Sequence, residues 1–191
     1  ISGNNGSGAI FFANCNLKCV FCQNYEISSL GKGKEISVIE LAEIFRKLEK
    51  LGANNINLVT PTHYTYQIIE ALKIYKPTIP IVWNTNGYET IETIDMLKGW
   101  VDIFLFDLKY YDNNLGLKYS NVPNYFDVAT KAIIEGRKIV GKDIICNGLI
   151  KRGLIIRHLV LPTHTDDSIK VLDWMADNMP NAIISIINPL Q

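Results

Sequence analysis

The chain has 191 residues, 48% of them hydrophobic and 20% charged, enough for one domain with a real apolar core. Nineteen Lys plus Arg balance nineteen Asp plus Glu, so nothing in the charge argues for a nucleic-acid footprint. No apolar run reaches the length of a membrane span, and no charged leader precedes an apolar core as in a secretory signal. The expectation is a cytoplasmic protein without nucleic-acid or membrane partners, folded as a single domain over 1–191. Its opening on Ile1, and its close on Asn-Pro-Leu-Gln straight after an apolar run, read as a fragment of a longer chain.

Short apolar runs alternate with helical patterns, which predicts βα units on a parallel sheet. The segment 9–13 reads as a short buried strand feeding a cysteine-rich loop, and the Gly/Lys run 31–34 as a solvated turn. Ser37 and Glu40 form a capping box, followed by a helix with Leu41, Ile44, Phe45, Leu48 and Leu51 on one face and Gly52 closing it. A second strand is predicted over 55–60, then a helix carrying Ile68, Ile69 and Leu72 that stops before Pro77. Strand three takes 81–85, a helix 89–98, and a strongly apolar strand four 101–108. A long loop with Tyr110, Tyr111 and Tyr119 leads to a helix over about 124–135. Strand five is expected at 154–161, a helix at 168–178 and strand six at 182–187, the Ile/Val/Leu-rich strands suiting burial on both faces. Six βα units cannot close an eight-stranded barrel. The α/β architecture expected is an open partial (β/α)6 barrel of TIM-barrel type, with a flat doubly wound sheet as the second choice.

The stretch Cys15-Asn16-Leu17-Lys18-Cys19-Val20-Phe21-Cys22 gathers three of the four cysteines in C-x3-C-x2-C spacing. Thiolates select zinc, Cu(I) or iron–sulfur clusters. A structural zinc site wants four closed ligands, whereas three thiolates suit a cubane cluster with one iron left open to a small molecule. Cys146 is remote and beside an Asn147-Gly148 turn, a poor fourth ligand. Such spacing suits a reducing compartment better than a disulfide framework.

That spacing, with aromatic Phe21 before the last cysteine, resembles the radical S-adenosylmethionine (SAM) superfamily. The resemblance implies the open barrel, a [4Fe–4S] cluster on Cys15, Cys19 and Cys22, and SAM on the open iron. It also implies reductive cleavage of SAM to a 5′-deoxyadenosyl radical that abstracts hydrogen, and a one-electron donor such as flavodoxin or ferredoxin. Phe21 would lie against the adenine. In such folds the chemistry sits at the C-terminal ends of the strands. The Gly-Gly-Glu stretch that many members carry after strand two is missing. Thr60-Pro61-Thr62 stands there, its two hydroxyls and the Pro61 carbonyl being the candidates for the SAM amino group, against a plain helix cap. His63 reads more simply as a structural hydrogen-bonder.

Asn84-Thr85-Asn86-Gly87 closes strand three and Asp107-Leu108-Lys109 closes strand four. Both runs resemble the glycyl-radical-enzyme activases, notably the pyruvate formate-lyase activating enzyme. The resemblance assigns Asn84, Asn86, Asp107 and Lys109 to the SAM pocket and a glycyl-radical enzyme as a possible protein substrate. Arg157, a charge inside apolar strand five, needs an anionic partner. The SAM carboxylate is one candidate, gripped bidentately, and an internal salt bridge with Asp107 the other. His158 should face the opposite side and pack under a helix. A non-catalytic iron–sulfur or zinc module stays open as the alternative. A pure electron carrier would have no need of Asp107, Lys109 and Arg157 converging beside its cluster.

Overall fold

The computed structural model describes residues 1–187; the Asn-Pro-Leu-Gln close of the chain lies outside the described residues. Six parallel strands carry the fold: β1 (Gly8–Phe11), β2 (Ile56–Val59), β3 (Ile81–Thr85), β4 (Ile103–Asp107), β6 (Leu149–Leu159) and β7 (Ile183–Ile187). They pair in that spatial order, while a short β5 (Ile144–Cys146) runs antiparallel against the start of β6. Each crossover moves one strand further the same way. The order never reverses, as it would in a doubly wound sheet, and right-handed crossovers of one direction put every helix on one face. Among the described residues no pairing joins β1 to β7, so the sheet stays open.

Side-chain alternation along the strands separates two cores. Trp83, Phe104, Phe106, Leu154 and Ile156 point outward and join the helices α2 (Val38–Lys50), α3 (Thr65–Ile74), α4 (Ile91–Met96), α6 (Tyr125–Val140) and α7 (Thr165–Asn178) in the main cluster. Val82, Ile103, Leu105 and Ile155 point inward and form a smaller apolar plug at the base of the lumen. Above that plug the inward positions turn polar, at Asn84, Asp107 and Arg157. No helix of the described residues is long and apolar enough to cross a membrane.

Most local expectations hold. The Ser37–Glu40 capping box opens α2, with both reciprocal bonds made, and Gly52 follows its end at φ +82°. Four expectations need correction. Among the described residues there are seven strands, because β6 begins at Leu149 and pairs back on β5 through the Asn147-Gly148 turn. The tyrosine loop contains a helix, α5 (Asn113–Ser120), started by the Asp112 side chain and ended by Asn121 at φ +56°. Its Asn- and Gly-rich sequence has weak helix propensity, and tertiary packing decides instead: a Cβ on Gly116 would sit 2.7 Å from Tyr125 Cβ. The helix α6 runs on to Val140, with Gly141 at its end. Finally, α4 begins at Ile91 behind a Thr90 cap, and Glu89 turns into the protein instead of opening the helix.

Candidate functional site

The three cysteines share the loop after β1. Leu17, 2% exposed, plugs the loop into the main core, while Asn16, Lys18 and Val20 stay outside. This alternation holds Cys15, Cys19 and Cys22 half-buried on one short turn, all as free thiols. The Cys15 sulfur accepts from Asn86 Nδ2 at 3.3 Å and from the Leu17 amide at 3.4 Å. Ser120 Oγ lies 2.9 Å from the Cys19 sulfur, and Ser28 Oγ 3.0 Å from that of Cys22. Burial pushes the Cys19 thiol up, against the lowering charge of Lys109. The fourth cysteine, Cys146, is exposed on β5.

Beside the loop stands a polar rim built from three neighbouring strand ends. Asp107 and Arg157 are register partners on β4 and β6. Arg157 Nε donates to Asp107 Oδ1 at 2.6 Å and its Nη2 to Asn84 Oδ1 at 3.2 Å. Lys109 Nζ donates to Asp107 Oδ2 at 2.5 Å. Burial alone would raise the Asp107 carboxyl, but Lys109 and Arg157 outweigh it and hold it below its ordinary value. Burial would likewise lower Lys109, yet Asp107 keeps it raised and charged. Two cations meet one carboxylate whose two oxygens are both taken, so the rim carries one uncompensated positive charge. Arg157 keeps about a third of its side chain exposed (31%). A carboxylate ligand is the natural complement of such a charge. Asn86 joins rim to loop, donating also to Asn16 Oδ1 at 2.6 Å.

Two residues that the sequence did not mark hold these strand ends in place. Tyr125, fully buried on α6, lies with its hydroxyl 2.7 Å from the Asn86 carbonyl and 2.9 Å from that of Asp107, and accepts from the Lys109 amide at 3.2 Å. The close approach needs Gly87: at φ +87°, a Cβ there would meet the Asp107 carbonyl at 2.2 Å. Glu89 lies on the opposite, helix-facing side of the sheet. Its Oε1 accepts from Thr62 Oγ1 (2.8 Å), Thr85 Oγ1 (2.7 Å) and Trp83 Nε1 (3.1 Å), while Oε2 is buried without a partner among the described residues. Burial raises the Glu89 carboxyl, the three donors only softening the effect. The one sequence signal for Glu89 was its place just after a polar strand end; for Tyr125 there was none.

Thr60 follows β2 at φ +57°, a left-handed conformation that costs a β-branched residue of order 1–3 kcal/mol. Its hydroxyl makes no hydrogen bond among the described residues, whereas that of Thr62 is committed to Glu89 and the Pro61 carbonyl accepts from the Tyr64 amide. Phe21 is half-buried against the main core. His63 stacks on Tyr64. His158 is fully buried under α7, its ring nitrogens at 2.7 Å from the Leu108 carbonyl and 2.9 Å from Ser168 Oγ, as its strand parity implied.

Residues 9–175 match the family model of the radical SAM superfamily. The chain belongs to that superfamily. Among curated proteins, an uncharacterized protein of Methanocaldococcus jannaschii is 37% identical over 191 aligned residues, covering 95% of this chain and 52% of that protein. The chain thus spans about half the length of the curated relative it matches. Among solved structures, Streptococcus suis SuiB bound to S-adenosylmethionine superposes with TM-score 0.67 at 16% identity, over 95% of this chain and 40% of that one. The FeFe-hydrogenase maturase HydG of Carboxydothermus hydrogenoformans gives 0.65 at 14%, over 95% and 44%. At such identities these two structures speak for the fold, an open partial barrel.

Radical SAM membership implies a [4Fe–4S] cluster and SAM as cofactors, and the donor set fits both. Three free, half-buried thiols on one loop each have a polar partner, and the positively charged rim adjoins them. Among the described residues no three His, Cys, Asp or Glu side chains are drawn together around a single metal ion; a cubane spreads its thiolates over separate irons.

Proposed function

We propose that this radical SAM chain is the core of an activase that takes hydrogen from a backbone glycine of a protein substrate, a glycyl-radical enzyme such as pyruvate formate-lyase. The observation that carries the reading is the joining of the two activase-like runs, Asn84 to Gly87 and Asp107 to Lys109, in one hydrogen-bonded rim beside the cysteine loop. When bound, the cluster and SAM supply one-electron reductive cleavage and a 5′-deoxyadenosyl radical that abstracts hydrogen. Cys15, Cys19 and Cys22 would hold three irons and leave the fourth to SAM. Arg157, steadied by Asp107 and Asn84, would meet the SAM carboxylate, with Lys109 adding charge through Asp107. Thr60, with its uncommitted hydroxyl, would serve the amino group in place of the missing Gly-Gly-Glu stretch. Thr62 would contribute through Glu89, Asn86 by fixing the loop against the rim, and Phe21 by packing on the adenine. A flavodoxin or ferredoxin would supply the electron.

The test is anaerobic reconstitution with iron and sulfide, then reductant and SAM, followed by addition of a pyruvate formate-lyase. Formation of 5′-deoxyadenosine together with a glycyl-radical EPR signal supports the proposal. The nucleoside without the glycyl radical would confine the reading to a radical SAM enzyme of another substrate.

A further inference from the structure

Each cysteine sulfur of the loop faces a side-chain partner from outside the loop, and each of these comes from a different element. Asn86 follows β3, Ser28 closes the short helix α1 (Tyr25–Ser28), and Ser120 closes α5. Ser120 is the most enclosed, with no exposed surface, and two backbone bonds lock it against the loop. Its carbonyl accepts from the Lys18 amide and the Tyr119 carbonyl from that of Val20, both at 2.9 Å. Behind it, Tyr110 Oη lies 2.7 Å from Ser120 Oγ and is buried, and its phenol is pushed well up by that burial. A buried hydroxyl must find a partner, and the acceptor this geometry gives the Tyr110 proton is Ser120.

Proton bookkeeping then fixes the direction of the chain. An iron-bound cysteine is a thiolate with no proton to give. Ser120 therefore donates to the Cys19 sulfur, and Tyr110 donates to Ser120. Both O–H dipoles point toward the sulfur. Hydrogen bonds to cluster sulfurs are among the levers that set the reduction potential, because they favour the more negative, reduced state.

We infer that Ser120, backed by Tyr110, is a positioning residue that donates to Cys19 and raises the reduction potential of the cluster. The inference rests on the reading of Cys15, Cys19 and Cys22 as cluster ligands. It gives a role to a buried serine that faces both the Cys19 sulfur and the Tyr110 hydroxyl.

The test is a redox titration of the anaerobically reconstituted protein, following the EPR signal of the reduced cluster. In Ser120→Ala the midpoint should move to more negative potential. A tenfold fall in the reduced-to-oxidised ratio at fixed potential corresponds to about 59 mV for a one-electron couple. In Tyr110→Phe it should move the same way by less, because that hydroxyl acts only through Ser120. Iron and sulfide content should stay at the wild-type level in both. A loaded Ser120→Ala protein with the wild-type midpoint overturns the inference while leaving the cluster reading intact. If Ser120→Ala does not take up iron, Tyr110→Phe decides alone: a negative shift supports the donor chain, and an unchanged midpoint overturns it. A wild-type protein that binds no iron–sulfur cluster overturns the underlying reading and this inference together.

Discussion

Two buried carboxylates stand at neighbouring strand ends on opposite faces of the sheet, and they are treated in opposite ways. Asp107, on the lumen side, has both oxygens taken by cations and is held ionised below its ordinary range. Glu89, on the helix side, meets only neutral donors and leaves one oxygen unpartnered among the described residues, and it is raised by burial. The lumen face invests its carboxylate in assembling positive charge, whereas the helix face uses one to tie the loops after β2 and β3 together. The first arrangement is the one proposed to meet an anionic ligand, and the second ties Thr62 to the end of β3.

Removing Asp107 should break the contrast most severely. Asp107→Ala leaves Lys109 and Arg157 confined beside each other without their shared anion. Breaking a buried pair in this way costs about 3–5 kcal/mol, so chemical denaturation should show a loss of that order. A loss under about 1 kcal/mol would mean that the rim is solvated enough to need no counter-charge.

Arg157→Lys sharpens the lumen side. The charge facing Asp107 survives, but the planar fork that also reaches Asn84 does not. Loss of one charge-assisted bond, on the order of 1.5–3 kcal/mol, should weaken SAM binding roughly tenfold or more with little change in the melting temperature. Unchanged SAM affinity alongside a lowered melting temperature would make Arg157 a structural partner of Asp107 alone.

Glu89→Gln sharpens the helix side with the smallest effect. The folded carboxyl is raised above the model-peptide value of 4.5, so its contribution to stability is fully present below that value and is lost as pH rises through the folded one. Glutamine keeps an acceptor oxygen for Thr62, Thr85 and Trp83 and does not ionise. Melting curves of the two proteins should therefore agree best below pH 4.5 and separate above it, with the variant becoming relatively more stable. A wild type that instead becomes relatively more stable than the variant as pH rises would show the carboxylate to be the stabilising form.

Much of this was legible in the sequence. The Ser37 capping box, the apolar runs and the cysteine spacing are local signals that need no tertiary information, and they placed the strands and the loop. Asp107, Lys109 and Arg157 were also readable as groups in need of partners, because a charge at a buried strand needs an opposite charge, and the internal salt bridge weighed for Arg157 is present. What escaped depends on distant neighbours. Asn113 to Ser120 reads as loop, and becomes helix because it packs on Tyr125. Glu89 reads as the first residue of a helix, and becomes buried because Thr62, Thr85 and Trp83 offer it donors. Ser28 and Ser120 carry no signal at all until the fold sets them against sulfur. The flat doubly wound alternative fell to the strand order, which periodicity along the chain does not encode.

The central claim is that the cysteine loop and the charged rim form one site for a cluster and SAM. It is tested most directly by the EPR spectrum of the reduced, reconstituted protein before and after SAM is added. One cubane cluster per chain is expected, with a signal that changes on addition of SAM. A stoichiometric zinc without iron, or a cluster signal indifferent to SAM, would contradict it.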